Sequence, residues 1–190
     1  MVIEIKQLIL RPFLESDAAE IYEYLKEYAV NCFVSMKLGS LDEAREKMKK
    51  RLGETEYYFA SPLKDSGKVI GEIDVYPEAG EPHAGEDAVR DTFSPCWMLN
   101  ENYQRKGDAF EVAQAFFDYL FSQKGASRIY AYTEDDNLSS QYLCEKLGMR
   151  REGVFLEVIS FVNNPDGTPR YENTVQYAIL KKEWDRQQSQ

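Results

Sequence analysis

Histidine is almost missing from this sequence. His83 is the single one, set in a stretch rich in glycine, proline and glutamate. A Ser/His/Asp arrangement or a multi-histidine metal centre is therefore not expected. Cysteine is scarce too. Cys32, Cys96 and Cys144 are scattered, odd in number and form no CxxC pair, which argues against a disulfide framework or a zinc site and for a reduced, cytoplasmic setting. No apolar run reaches transmembrane length, and the opening MVIEIKQLILRPFLESD carries charge throughout. Neither a membrane span nor a secretory leader is expected. Positive charge is in deficit: 23 basic residues against 33 acidic ones, a net charge of −10. A broad nucleic-acid-binding face is disfavoured, because neutralising phosphates takes clustered Lys and Arg. The same field either attracts a cationic amine or simply keeps the chain soluble. Internal repeats, low-complexity tracts, GxGxxG and Walker A patterns are all absent.

What is present is a good globular composition. The chain has 190 residues, 43% apolar and 13% aromatic, enough for one sizeable core and, by expectation, one domain over residues 1–190. Residues 2–11 read as a strand ended by Pro12. An amphipathic helix follows over 17–29, capped by Ser16 or Asp17, with Ala18, Ile21, Tyr22, Leu25 and Tyr28 on its apolar side. Ser40 and Glu43 form a capping box that opens a helix to about Arg51. Strands at 56–61 and 68–76 flank the turn KDSG. The acidic, Gly/Pro-rich segment 77–91 reads as a long loop. A strand at 93–99 leads into a helix with Ala109, Val112, Ala113, Phe116, Phe117, Leu120 and Phe121 on one face, which is core packing. Then come a strand at 128–133, a helix at 138–147 stopped by Gly148, and two strands, 153–162 and 171–180, joined across NNPDG. The strand–helix–strand path near 93–133 demands parallel pairing and the hairpins demand antiparallel pairing. The expected fold class is therefore α/β or α+β with a mixed sheet.

Chemistry concentrates where the strand ending at Leu99 feeds the helix. Gln104-Arg105-Lys106-Gly107-Asp108-Ala109 places a basic pair and a glycine at a helix mouth. Four N–H groups at a helix start have no partner within the helix, and the macrodipole adds about half a positive charge there. Glycine lets a ligand approach the backbone closely. The segment suits a pyrophosphate; the alternative is a solvated helix start that is merely basic. A second segment, NLSSQYLCEKLGM at 137–149, follows a strand and ends in Leu-Gly.

Together the two segments resemble the GNAT superfamily of acetyl-CoA-dependent N-acyltransferases. The family's phosphate loop, Q/R-x-x-G-x-G/A, matches residues 104–109. Its later N-x-x-S/A…LGF element matches Asn137, Ser140 and Leu147-Gly148-Met149. The opening LILRPF and the closing NTVQYAILKKEW resemble the branch that contains ribosomal-protein N-terminal (alanine) acetyltransferases, so the likeness runs in order along nearly the whole chain. The resemblance implies a largely antiparallel sheet in which two central parallel strands splay apart. It implies that acetyl-CoA is the co-substrate, that backbone groups of Trp97, Met98 and Leu99 bind pantetheine in the gap, that residues 104–109 take the pyrophosphate, and that Asn137 bonds the cofactor arm. The other reading of Asn137 is a helix-start turn residue.

The sequence departs from the pattern at three points. Asp108 stands where the family usually has an apolar or aromatic residue, and is expected to point to solvent. Met149 replaces a frequent aromatic. Cys144 occupies the position of a tyrosine general acid. In the branch concerned, the serine three after the asparagine often serves instead, which is Ser140; its other reading is an ordinary first-turn residue.

Direct attack by an amine needs no covalent intermediate, but a base must take the ammonium proton. The strand FSPCWML has no glutamate. Glu72 is the candidate catalytic carboxylate, and either it or Asp74 on the same strand could take up protons or hold a cationic amine. Together with Asp74 it forms a pair of carboxylates on one strand face, otherwise read as a solvated sheet face. Cys96 and Cys144 lack a partner histidine for nucleophilic work. The expected activity is acetyl transfer to a primary amine, on a peptide N-terminus or a small cationic molecule, with no metal, no nucleic acid and no membrane; a homodimer is left open. A weak acyl-CoA-binding module on the same fold and a plain interaction domain are the other classes. The resemblance implies that segment 68–91 lies near the acceptor side, where Glu72, Asp74, Glu78, Glu81, Glu86, Asp87 and Asp91 would make an acidic entrance; the other reading is a solvated acidic loop.

Overall fold

The computed structural model describes residues 2–28, 30–79 and 85–189. Glu81 and His83 lie outside the described residues. In chain order the elements are β1 (Ile3–Glu4), β2 (Ile9–Leu10), α1 (Ala18–Leu25), α2 (Leu41–Arg51), β3 (Tyr58–Pro62), β4 (Val69–Asp74), β5 (Pro77–Glu78), β6 (Thr92–Phe93), β7 (Cys96–Leu99), α3 (Asp108–Gln123), β8 (Arg128–Glu134), α4 (Leu138–Lys146), β9 (Arg150–Asn163), β10 (Pro169–Leu180) and α5 (Lys181–Gln188). They fall into two compact units: residues 1–74 with 97–115, and residues 75–96 with 116–190.

In the first unit the strand expected over 2–11 is instead a small antiparallel hairpin. Ile5 N–H donates to the Leu8 carbonyl at 3.0 Å, and Ile3 pairs with Leu10. A Lys6-Gln7 turn in mid-segment is what the alternating apolar pattern concealed. The cap expected from Ser16 or Asp17 works in reverse: Asp17 accepts from the Leu14 N–H behind it, at 2.8 Å, and binds Arg11 through both oxygens. That arrangement fixes a 3-10 turn at Glu15–Asp17 before α1. α1 buries Ala18, Ile21, Tyr24 and Leu25. Tyr22 packs part-buried against the same core as expected, whereas Tyr28 is exposed and Tyr24 takes an inward place that was not expected. α2 starts as expected, with Ser40 Oγ accepting from Glu43 N–H at 3.2 Å, but the Glu43 carboxylate reaches one residue further back, to Gly39 N–H.

β3 and β4 form the expected antiparallel hairpin, with Tyr58 opposite Asp74 and Ala60 opposite Glu72. β7 completes a three-stranded sheet in the order β3-β4-β7. At Gly71 β4 lies close against β7. A Cβ there would lie 2.4 Å from the Met98 carbonyl oxygen, so no side chain fits.

The second unit holds a five-stranded sheet in the order β5-β6-β8-β10-β9. The strand expected at 93–99 is two strands. Its first part, β6, pairs parallel with β8, Phe93 opposite Ile129, and its second part is β7 of the other unit; Pro95, which cannot donate to a ladder, stands between them. Pro77 and Glu78, expected in the loop, pair with β6. β8 pairs antiparallel with β10, and β10 with β9. Inside this unit Trp184 of α5, a helix the sequence reading missed, packs on Phe117 and Phe121 and donates to Asp118 Oδ1 at 2.7 Å. Gly148 ends α4 as expected: it takes φ 76°, its N–H meets the Glu145 carbonyl, and Met149 N–H meets that of Cys144, a Schellman closure.

Gly71→Ala is expected to cost about 1–3 kcal/mol of stability, as overpacking against a rigid backbone does. Urea denaturation measures it. An unchanged midpoint would show that β4 and β7 tolerate separation.

Candidate active site

The site residues of the first unit are built on β7 and the segment after it. β7 is the outer strand of its sheet, and Trp97, Met98 and Leu99 are half-buried on it. Its end is pinned by Asn100, a buried residue that sequence reasoning passed over. The Asn100 N–H donates to the Ile70 carbonyl at 2.7 Å. Its side chain donates to Glu23 at 3.0 Å and accepts from Asn102 N–H at 3.1 Å. Glu23 in turn binds Lys68 at 2.8 Å; that hydrogen bond lowers the Glu23 pKa.

A single 3-10 turn, Glu101–Tyr103, then leads into the basic loop. Gln104 folds back, its amide donating to the Leu99 carbonyl at 3.2 Å. Arg105 takes φ 65° and Gly107 φ 94°. A left-handed arginine is sterically strained, and such residues persist where the surroundings hold them. The Gly107 carbonyl accepts from Phe110 and Glu111 and so opens α3. Among the described residues, the N–H groups of Lys106, Gly107, Asp108 and Ala109 donate to no protein acceptor. Gln104, Arg105, Lys106 and Gly107 are exposed. Lys106 Nζ stands 5.0 Å from the centre of the Tyr103 ring. The loop is an exposed, positively charged row of N–H donors at a helix start.

Asp108 does not point to solvent: it is 4% exposed. One Glu111 carboxylate oxygen is also buried, without a hydrogen-bond partner. Both stand in the first turn of α3, where the helix dipole favours negative charge.

Glu72 is not on a solvated face. It is buried, and both oxygens are fully engaged. Oε1 accepts from Arg51 Nη2 at 2.6 Å and Tyr58 OH at 2.8 Å. Oε2 accepts from Arg51 Nη1 at 2.7 Å and Tyr24 OH at 2.6 Å. The Arg51 guanidinium lies between the Phe13 and Tyr58 rings, 4.9 and 4.7 Å from their centres. Burial first, and then the Glu72 charge, push the Tyr24 and Tyr58 pKa values up, so both phenols stay protonated and donate. A carboxylate committed to four donors is a structural anchor, which removes Glu72 from the candidates for the base. Arg51 was missed although the pattern holds a signal: it stands seven residues after Ala44 and three after Met48, on the buried stripe of α2.

In the second unit Asn137 is the cap of α4, its side-chain oxygen accepting from Ser140 N–H at 3.2 Å. The helix-start reading of both residues therefore describes these contacts. Cys144 is fully buried, and burial pushes its thiol up to about 12; it is no nucleophile. Glu78, expected on an open acidic side, accepts from Tyr130 OH at 2.6 Å. Among the described residues no group of three or more His, Cys, Asp or Glu is placed to hold a metal ion, and no helix is long and apolar enough to cross a membrane.

Residues 7–150 match the acetyltransferase (GNAT) domain family. The chain belongs to the GNAT acetyltransferases. It is 32% identical over 185 residues to the uncharacterized N-acetyltransferase YnaD of Bacillus subtilis (strain 168), covering 97% of this chain and 100% of that protein. A GNAT-family acetyltransferase from Bacillus anthracis has the same fold, with a TM-score of 0.78 at 27% identity over 96% of this chain and 99% of the other. RimL, a ribosomal-protein α-N-acetyltransferase solved in complex with coenzyme A, shares the fold at 16% identity and a TM-score of 0.69, over 95% and 98% of the two chains. This GNAT chain is an N-acetyltransferase with a mixed α/β fold, as the resemblance implied.

Removing one partner of a buried ion pair leaves an uncompensated charge. Arg51→Met or Glu72→Leu alone is expected to cost about 3–5 kcal/mol, and the double variant less than the sum. A denaturant double-mutant cycle with simply additive losses would show that the pair is not coupled.

Proposed function

We propose that this GNAT acetyltransferase binds acetyl-CoA on β7 and residues 104–109, and transfers its acetyl group to a primary amine on a cationic acceptor, a protein N-terminus or a small amine. The observation that carries the reading is the row of N–H donors at 106–109, held beside Arg105 and Lys106 by two left-handed residues. Such a row, at the positive end of a helix, is what a pyrophosphate requires. β7, as the outer strand of its sheet, is suited to pair with the two amides of a pantetheine arm. The net charge of −10 favours a cationic acceptor.

Direct attack by the amine is the route this reading takes. Cys144 is buried and protonated, so a covalent acetyl-enzyme has no nucleophile there. Ser140 and Asn137 enter this reading through the family pattern: Ser140 as proton donor to the leaving thiolate, Asn137 as a bond to the cofactor arm through whatever capacity the α4 cap leaves it.

A Cβ at position 107 would meet no protein atom within 4 Å, so the fold has room for a side chain there while a bound phosphate does not. Gly107→Val is expected to keep the fold, at a cost of about 1–2 kcal/mol for its left-handed φ, and to weaken acetyl-CoA binding at least tenfold by calorimetry. Undiminished affinity in the folded variant would remove the cradle. Thiol release from acetyl-CoA with a panel of primary amines reads turnover; release driven only by hydroxyl acceptors contradicts amine transfer.

Ser140→Ala is expected to lower kcat more than Cys144→Ala does, both variants being checked for folding. The reverse order would place the proton donor at position 144.

A further inference from the structure

Glu72 is consumed by its four donors, so acylation needs another group to take the ammonium proton. We propose that Asp74 is that acceptor, and that the Arg51–Glu72 pair is the positioning element behind it. The inference rests on the acetyl-CoA reading above and adds the base that reading lacks.

The strands fix the placement. Asn100 N–H meets the Ile70 carbonyl, and Gly71 abuts the Met98 carbonyl and Leu99 Cα. Stepping along β4 from Ile70 to Asp74 therefore runs away from Asn100, and from the loop 104–109 after it, toward the Cys96 end of β7. Four residues of strand span about 13 Å. A pantetheine arm anchored by its pyrophosphate at 104–109 and lying along β7 brings its thioester to that Cys96 end. Asp74 stands at the matching end of β4, directly across from Tyr58 on β3 and on the same strand face as Glu72. It is half-buried, whereas Glu72 is 3% exposed.

The charges around Asp74 suit the task. Glu72 on its own strand repels its negative form, while Arg51 and Lys47 on α2 favour it. Arg51 is already paired with Glu72, to which it donates through both Nη1 and Nη2. Burial first, and then Glu72, raise the Asp74 carboxyl to about 7, near the optimum for a base working at neutral pH.

In the step, the Asp74 carboxylate takes one proton from R–NH3+. The neutral nitrogen attacks the thioester carbonyl carbon, the C–N bond forms and the C–S bond breaks. The second proton lost by nitrogen replaces the one that Ser140 gives to the departing thiolate, and Asp74 returns its own to solvent. The products are the N-acetyl amine, coenzyme A and one proton.

The test compares wild type, Asp74→Asn and Asp74→Glu by acetyl-CoA calorimetry and by kcat/KM from pH 5.5 to 9. Asp74→Asn is expected to bind acetyl-CoA within threefold of wild type, to lose about 100-fold or more in kcat, and to lose the acidic limb near pH 7. Asp74→Glu, which keeps a carboxylate, should recover part of the rate and move that limb. A merely structural aspartate gives a different signature. Its folded pKa is raised, so its stabilising contribution is complete below about 4 and fades as pH rises through 7. Asp74→Asn then gains thermal stability over wild type at pH 8.5 in either role, and only a structural role leaves the rate profile unaltered. Normal cofactor binding with wild-type kcat and limb in Asp74→Asn overturns this assignment alone. Failure of the wild-type chain to bind acetyl-CoA overturns it together with the proposed function.

Discussion

Arg51 and Glu72 meet where neither charge can be left alone. Both side chains are almost wholly removed from water, at 4% and 2% exposure. Desolvating two ions costs several kcal/mol each, offset only by good geometry and a full set of hydrogen bonds. The first unit is arranged to meet that condition. α1 brings the Tyr24 hydroxyl, α2 brings the guanidinium, β3 brings the Tyr58 hydroxyl and ring, and β4 brings the carboxylate. A slip of β4 by one residue would turn Glu72 to the opposite sheet face and strand Arg51. The pair thus fixes the register and helix placement that simple apolar burial leaves loose. It also leaves a fixed negative charge behind Asp74, and this links a packing constraint to the proton chemistry proposed for that residue.

The basic loop carries a similar tension between stability and use. The left-handed Arg105 costs about 1–2 kcal/mol in a segment that Asn100 ties to Ile70 and Glu23. Two carboxylates, Asp108 and Glu111, sit in the first turn of α3. They lower the energy of the helix start, since acidic groups there contribute about 0.3–1 kcal/mol each. They also oppose a phosphate at the same place. The exposed Arg105 and Lys106 charges answer that opposition. Their presence beside buried acids explains why a glycine turn alone would make a weak cradle here.

Local signals in the sequence were reliable wherever one residue type decides a backbone state. Gly148 as helix stop, the KDSG turn, the Ser40 cap and the apolar face of α3 were all legible, because each depends on neighbours within a few residues. The glycine turn that opens α3 was legible for the same reason, and the GNAT resemblance because its motifs run in order along nearly the whole chain. Pairings across the chain were not. Nothing around Glu72 announces that Arg51, 21 residues earlier, fills its lone pairs, and Asp74 and Glu72 look alike in the sequence though one is half-buried and the other sealed. The split of 93–99 into strands of two sheets was only hinted at by Pro95. The turn inside 2–11 and the inward face of Tyr24 were set by partners that periodicity does not name.

In the proposed reaction the amine attacks the thioester directly. A covalent acetyl-enzyme would need an exposed, activated nucleophile, and Cys144 is buried with its thiol held protonated. Without such an intermediate, the amine must arrive neutral beside the thioester, so deprotonation and attack share one site. A carboxylate of ordinary strength is a poor acceptor for an ammonium proton, whereas one raised by burial and a neighbouring anion is better matched. Within the first unit Asp74 has both influences, and Glu72, whose charge Arg51 and two hydroxyls absorb, supplies one of them. The buried pair therefore has a reason to be ionic where an apolar pair of the same volume would pack as well: a charge at position 72 adds to burial in raising the carboxyl at position 74.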